Sequence, residues 1–240
     1  MSVSAHGIRT ARMIKGSAGM QSKSLWWVGL FAIAMAYLES AVVVYLRRIY
    51  GISDLILSVP QFDPQIGAIE LGRELATLVM LLTVGWAAGK RFQSRLGFSV
   101  FAFGVWDIFY YIWLRVFIGW PQSLIDPDLL FLLPLPWWGP VLAPVLIAAL
   151  MVIGGALAVI KDEHELRLIP SSMDWATLAG GILTVLYTFM ADALSVLPTN
   201  AQTLGQLRPS EFNWSVYLVG LAMLCLFIWR ITKSTQPIST

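Results

Sequence analysis

Six apolar stretches, each about as long as a membrane crossing, recur along this chain of 240 residues. They run from Trp26 to Leu46, Ile66 to Ala88, Leu96 to Ile118, Trp138 to Ile160, Trp175 to Leu197 and Trp214 to Ile231. A helix rises about 1.5 Å per residue, so about 20 mostly apolar residues cross the bilayer core. In lipid, every backbone polar group must be bonded within the protein, which leaves helices or a closed barrel. The short alternating segments of a barrel are missing. The expected fold is therefore all-α: a polytopic integral membrane protein of the cell membrane, a bundle of six transmembrane helices with both termini cytoplasmic. The expected organisation is a cytoplasmic tail over 1–24, the transmembrane domain over 25–232 and a cytoplasmic tail over 233–240.

Composition agrees. Hydrophobic residues make up 58% and charged residues 12%, about half the charge of a soluble domain. Mean hydropathy is +0.72. A net charge of +2 gives no footprint for nucleic acid and no drive toward disorder. One Cys excludes a disulfide framework or a thiolate metal cluster.

Basic residues set the orientation. Arg9, Arg12, Lys15, Lys23, Lys90, Arg91, Arg95, Lys161, Arg167, Arg230 and Lys233 fall on one side. Only Arg47, Arg48, Arg115 and Arg208 fall on the other, which the positive-inside rule makes the outer side. A rival reading takes Arg9 to Ala36 as a cleaved signal peptide, but the apolar run continues to Leu46. Tryptophans near span ends, among them Trp26, Trp27, Trp86, Trp120, Trp137, Trp138, Trp175, Trp214 and Trp229, read as an interfacial belt. Ser171 and Asp174 make a capping box before Trp175, and Asn213 caps the last span. The outer loops Arg48–Gln65 and Gly119–Trp137 are too apolar to hang free. They are expected to lie in the interface or dip inward as a lid, and their prolines bar a long helix.

The charges inside the spans carry the functional information. Glu39, Glu70, Glu74, Asp107 and Asp192 sit in four spans, and Arg73 lies among them. Such a residue costs at least about 2.5–3.5 kcal/mol at the bilayer centre, so it is kept for a partner or a function. By the helical rise, all five acids fall at the middle or in the outer half. Glu70 and Glu74 share a face, with Arg73 adjoining both. Asp107, Tyr110 and Tyr111 share another. Gly29, Ala32, Ala36 and Ser40 form a small-residue stripe that admits a neighbouring helix.

These residues predict one polar cluster in the outer half. Glu39, Glu70, Glu74 and Asp107 are its acid/base or cation-holding candidates. Arg47, Arg48, Arg73, Tyr110, Arg115 and Asp192 are its substrate-binding candidates. The bland alternative is a set of separate ion pairs, such as Glu70–Arg73 and Asp107–Arg115. The only histidines are His6 and His164, outside the spans. That excludes an intramembrane haem with histidine ligands and Ser–His chemistry. With no Lys in a span, a retinal Schiff base has no attachment point. A divalent cation stays open as a cofactor.

Three functions remain. The first is a membrane protein that binds or transforms a lipid-phase or anionic small substrate. The second is a proton- or cation-coupled small transporter, which the lack of visible repeats and of inner acids disfavours. The third is a structural or assembly subunit with membrane-protein partners. A pocket confined to the outer half favours the first, a water path to the cytoplasm the second, and a dry, fully paired cluster the third.

Overall fold

The computed structural model describes residues 20–49, 64–131, 135–198 and 210–238. The chain is mostly helical. Its order is α1 (Met20–Ile49), α2 (Pro64–Ala88), α3 (Phe92–Ile118), β1 (Pro127–Phe131), β2 (Trp137–Pro140), α4 (Leu142–Glu163), β3 (Leu166–Leu168), α5 (Ser172–Ser195), α6 (Trp214–Lys233) and β4 (Thr235–Pro237). Five of these helices, α1 and α3 to α6, are long and apolar enough to cross a membrane. The sixth, α2, has 25 residues and carries Glu70, Arg73 and Glu74 in its first half.

Local chemistry fixes several helix ends. Ser171 Oγ accepts from Asp174 N at 3.2 Å while Asp174 accepts from Ser171 N at 2.8 Å, closing the capping box that starts α5. Asn213 Oδ1 accepts from Val216 N at the start of α6. Gly119 ends α3 with φ of +71°, a conformation that suits a residue without Cβ.

Small residues bring the helices together. In lipid, helix association rests on close packing rather than hydrophobic drive. At the α3–α4 crossing, a Cβ on Gly104 would lie 2.4 Å from Ala148 O, and one on Gly155 would lie 2.5 Å from Gly97 O. The stripe on α1 behaves as its sequence predicts. Ala32, Ala36 and Ser40 are fully buried, and Ser40 Oγ donates to Tyr110 O of α3 at 3.0 Å. One apolar core gathers Val28, Ala32, Ala36, Leu81, Phe98, Ala102 and Val159 of α1 to α4. A second gathers Ala143, Val185, Phe189, Tyr217 and Leu224 of α4 to α6. Helix α4 belongs to both.

Two antiparallel ladders depart from the all-helical expectation. Strands β1 and β2 pair Asp128 with Gly139 and Leu129 with Trp138. The proline-rich stretch, barred from a helix, meets its backbone needs by pairing with itself. Strands β3 and β4 pair Arg167 with Gln236, so residues 235–237, expected in a tail, are joined to the α4–α5 connection. The tryptophan belt is also narrower than expected. Trp26, Trp27, Trp86, Trp175 and Trp229 are exposed, whereas Trp138 is buried within the protein. The apolar piece Asp54–Pro60 of the first large loop, and Arg208, lie outside the described residues.

Candidate functional site

The half of the bundle where α1 ends holds a cavity of about 250 Å³. Its lining includes Glu39, Arg47, Glu70, Arg73, Glu74, Asp107 and Tyr110. The four acid/base candidates, from three helices, thus face one space, together with three of the expected binding residues. Strand β1 roofs it with Asp128, Leu129 and Leu130, and Trp137 of β2 joins them. Phe103, Trp106, Ile147, Ala148 and Met151 supply apolar wall.

The polar groups divide into a paired set and an open set. Arg73 grips Glu70 through Nε and Nη2, with Nε–Oε2 at 2.9 Å, and its Nη1 meets Glu39 of α1. Thr77 Oγ1 donates to the other Glu39 oxygen at 3.1 Å. This network ties α2 to α1, and the Glu70–Arg73 pair is the one the bland alternative expected. The second pair it expected, Asp107–Arg115, does not form. Among the described residues, Glu74 and Asp107 have no hydrogen bond or ion pair with a side chain or backbone group. The Tyr110 hydroxyl is likewise unbonded, and its ring stacks on Trp106 at 6.2 Å. Trp106 Nε1, and Nε and Nη2 of Arg47, are buried without an acceptor. A buried donor left unmade costs about 1–3 kcal/mol.

Three expected binding residues fall elsewhere. Arg115 is exposed and donates to Gly119 O and Pro121 O, so it braces the turn after α3. Asp192 accepts from Ser210 N at 2.9 Å and Ser210 Oγ at 2.6 Å, tying α5 to the segment before α6. Arg48 is exposed and does not line the cavity. It follows Arg47 directly, and the helical turn of about 100° per residue points the two apart.

The sequence reading missed Asp128 and Thr77, and placed Tyr111 on the Asp107 face without counting it among the site residues. Tyr111 Oη donates to Asp128 Oδ2 at 3.0 Å, pinning the hairpin to α3. Burial pushes the Asp128 carboxyl up to about 6, while Arg47 and the Tyr111 hydroxyl pull the other way. A carboxylate beside Pro127 in an irregular stretch gives no periodic signal, so only the fold brings it to the cavity. The Tyr111 position was legible from its spacing to Asp107.

The site can hold a polar head against acids and N–H donors while apolar walls take a chain. An unpaired carboxyl in such a place can give or take a proton. Among the described residues, no three acids are close enough together to hold a metal ion. No family model matches this chain, and no curated protein or solved structure is similar to it.

Proposed function

We propose that this chain is a six-span protein of the cell membrane, with both termini cytoplasmic, whose outer-half cavity binds or transforms an amphiphile from the lipid phase. In this reading α2 is the sixth span. Its charges are tolerated because they face α1 and the cavity rather than lipid. The amphiphile's head sits among Arg47, Glu74, Trp106, Asp107 and Tyr110, and its chain lies along Leu129, Leu130, Ile147 and Met151. Asp107 and Glu74 are the acid/base groups. Glu39, Glu70 and Arg73 are positioning residues that hold α2 in place.

The carrying observation is the open set: two unpaired carboxyls and three buried, unbonded N–H groups around one cavity. A structural subunit would have these groups paired. Transport would need a polar path onward. Instead the next layer is the apolar core of Ala32, Ala36, Phe98 and Ala102.

The test is retention of lipid. The protein is purified in native-lipid nanodiscs and its bound lipid identified by mass spectrometry. One amphiphile should be enriched over bulk lipid, and Ile147→Trp, which fills the cavity, should lose it. A lipid profile identical to the bulk in both proteins would refute the reading.

A further inference from the structure

Arg47 shows what kind of head this cavity takes. Its guanidinium lies over the Trp120 ring with the central carbon 4.7 Å from the centroid, which fixes its plane. It lines the cavity. Its Nε and Nη2 are buried and have no acceptor, and among the described residues no carboxylate forms an ion pair with it. Asp128, whose carboxyl feels the Arg47 charge, is already engaged by the Tyr111 hydroxyl.

Nε and Nη2 form one edge of a guanidinium, whose two N–H bonds run parallel. That edge accepts two oxygens of a single carboxylate or phosphate. The same protein displays the filled version nearby, where Arg73 holds both Glu70 oxygens through Nε and Nη2. Two arginines thus line one cavity, one with this edge occupied by a carboxylate and one with it empty. A buried guanidinium edge with no acceptor is costly, so an oxyanion there relieves the cost borne by the free state.

We infer that the head recognised here carries an oxyanion, a carboxylate or a phosphate, held side-on by Arg47. This rests on the proposed binding of an amphiphile and names its chemistry. Trp120 and Arg47 act together: the ring sets the plane and the edge reads the two oxygens. A lysine keeps the charge but offers no such edge.

The test uses the full chain in nanodiscs of phosphatidylcholine. Affinity is measured for a fatty acid, for phosphatidate, for a neutral monoacylglycerol of matched chain length and for inorganic phosphate. The wild type should bind one of the two anionic amphiphiles more tightly than the neutral one. Arg47→Gln should weaken anion binding roughly ten- to hundredfold, the worth of hydrogen bonds to a charged group, and should weaken the neutral amphiphile far less. Arg47→Lys should recover only part of the loss. Binding of inorganic phosphate at the same strength would uphold the oxyanion and assign it to a free anion rather than a lipid head. Equal binding of charged and neutral amphiphiles, unmoved by Arg47→Gln, would overturn the oxyanion while sparing the amphiphile. Failure of every amphiphile and of phosphate to bind the wild type would overturn both.

Discussion

The two ends of this bundle treat charge in opposite ways. Where α1 begins, each buried carboxylate has an ion-pair partner, although Asp162 Oδ1 and Gln21 Oε1 lack a hydrogen bond. Asp162 accepts from Gln21 Nε2 and faces Arg91, with Nη1–Oδ1 at 3.5 Å. Asp174 accepts from Ser171 and from Arg230 Nε at 2.5 Å. Gln93 bridges Ala158 O, Leu166 O and Leu168 N. Where α1 ends, Asp107 and Glu74 stand unpaired beside unbonded N–H groups. Charges that hold a fold are paired. Charges left unpaired at a cost are what a ligand or a proton can use. Between the ends lies tight apolar packing, which keeps the two regimes apart.

Disrupting the layer between them should have the largest effect. Gly104→Val or Gly155→Val drives a side chain into backbone 2.4–2.5 Å away. Overpacking of this kind costs about 1–3 kcal/mol or more. Purified yield and thermal unfolding in detergent should both collapse, whatever happens at either end.

A swap across the comparison comes next. Asp162→Ala should lower the unfolding temperature, since it removes the acceptor of Gln21 Nε2 and an ion pair of Arg91, and should leave amphiphile binding intact. Asp107→Asn should do the reverse, abolishing turnover or weakening binding while holding or raising the unfolding temperature, as expected where a site is kept at the expense of stability. Equal destabilisation by both would erase the distinction between the ends.

The hairpin supplies a pH effect. Asp128 titrates near 6 in the fold against 3.8 when unfolded, so the folded hairpin binds the proton more tightly. Its stability should fall as pH rises from about 4 to 6 and stay low above that. Arg47 of α1, and Asp107 and Tyr111 of α3, surround this carboxyl. Protection factors of the 128–131 amides, corrected for intrinsic exchange, should therefore be higher at pH 4.5 than at pH 7. Asp128→Asn should flatten that dependence. The smallest effect is expected at Arg48, exposed and outside the cavity. Arg48→Ala should change stability by less than about 0.5 kcal/mol and leave binding alone.

What the sequence made legible follows the physics of each signal. Helices and caps are local: length, apolar runs, Ser171, Asp174 and Asn213 give them away. The cavity's acids were legible because charge in an apolar run is costly, and their depths agreed. The split into paired and open groups was not legible, because it depends on which helices meet. Arg73 could have paired with Glu74 as well as with Glu70, and only the approach of α1 brings it Glu39. Arg47 and Arg48 look alike in sequence, yet one turn angle puts Arg47 on Trp120 and leaves Arg48 exposed. The hairpin escaped for a similar reason, since its pairing is set by prolines that bar a helix without specifying a strand.

The central claim is that the open groups surround a ligand. A cryo-EM map of the protein in native lipid tests it most directly. Elongated density is expected in the cavity, with its head against Arg47 and Asp107 and its tail along Leu129 and Ile147. Density for water alone, with Asp107 and Glu74 each bonded to protein, would contradict it.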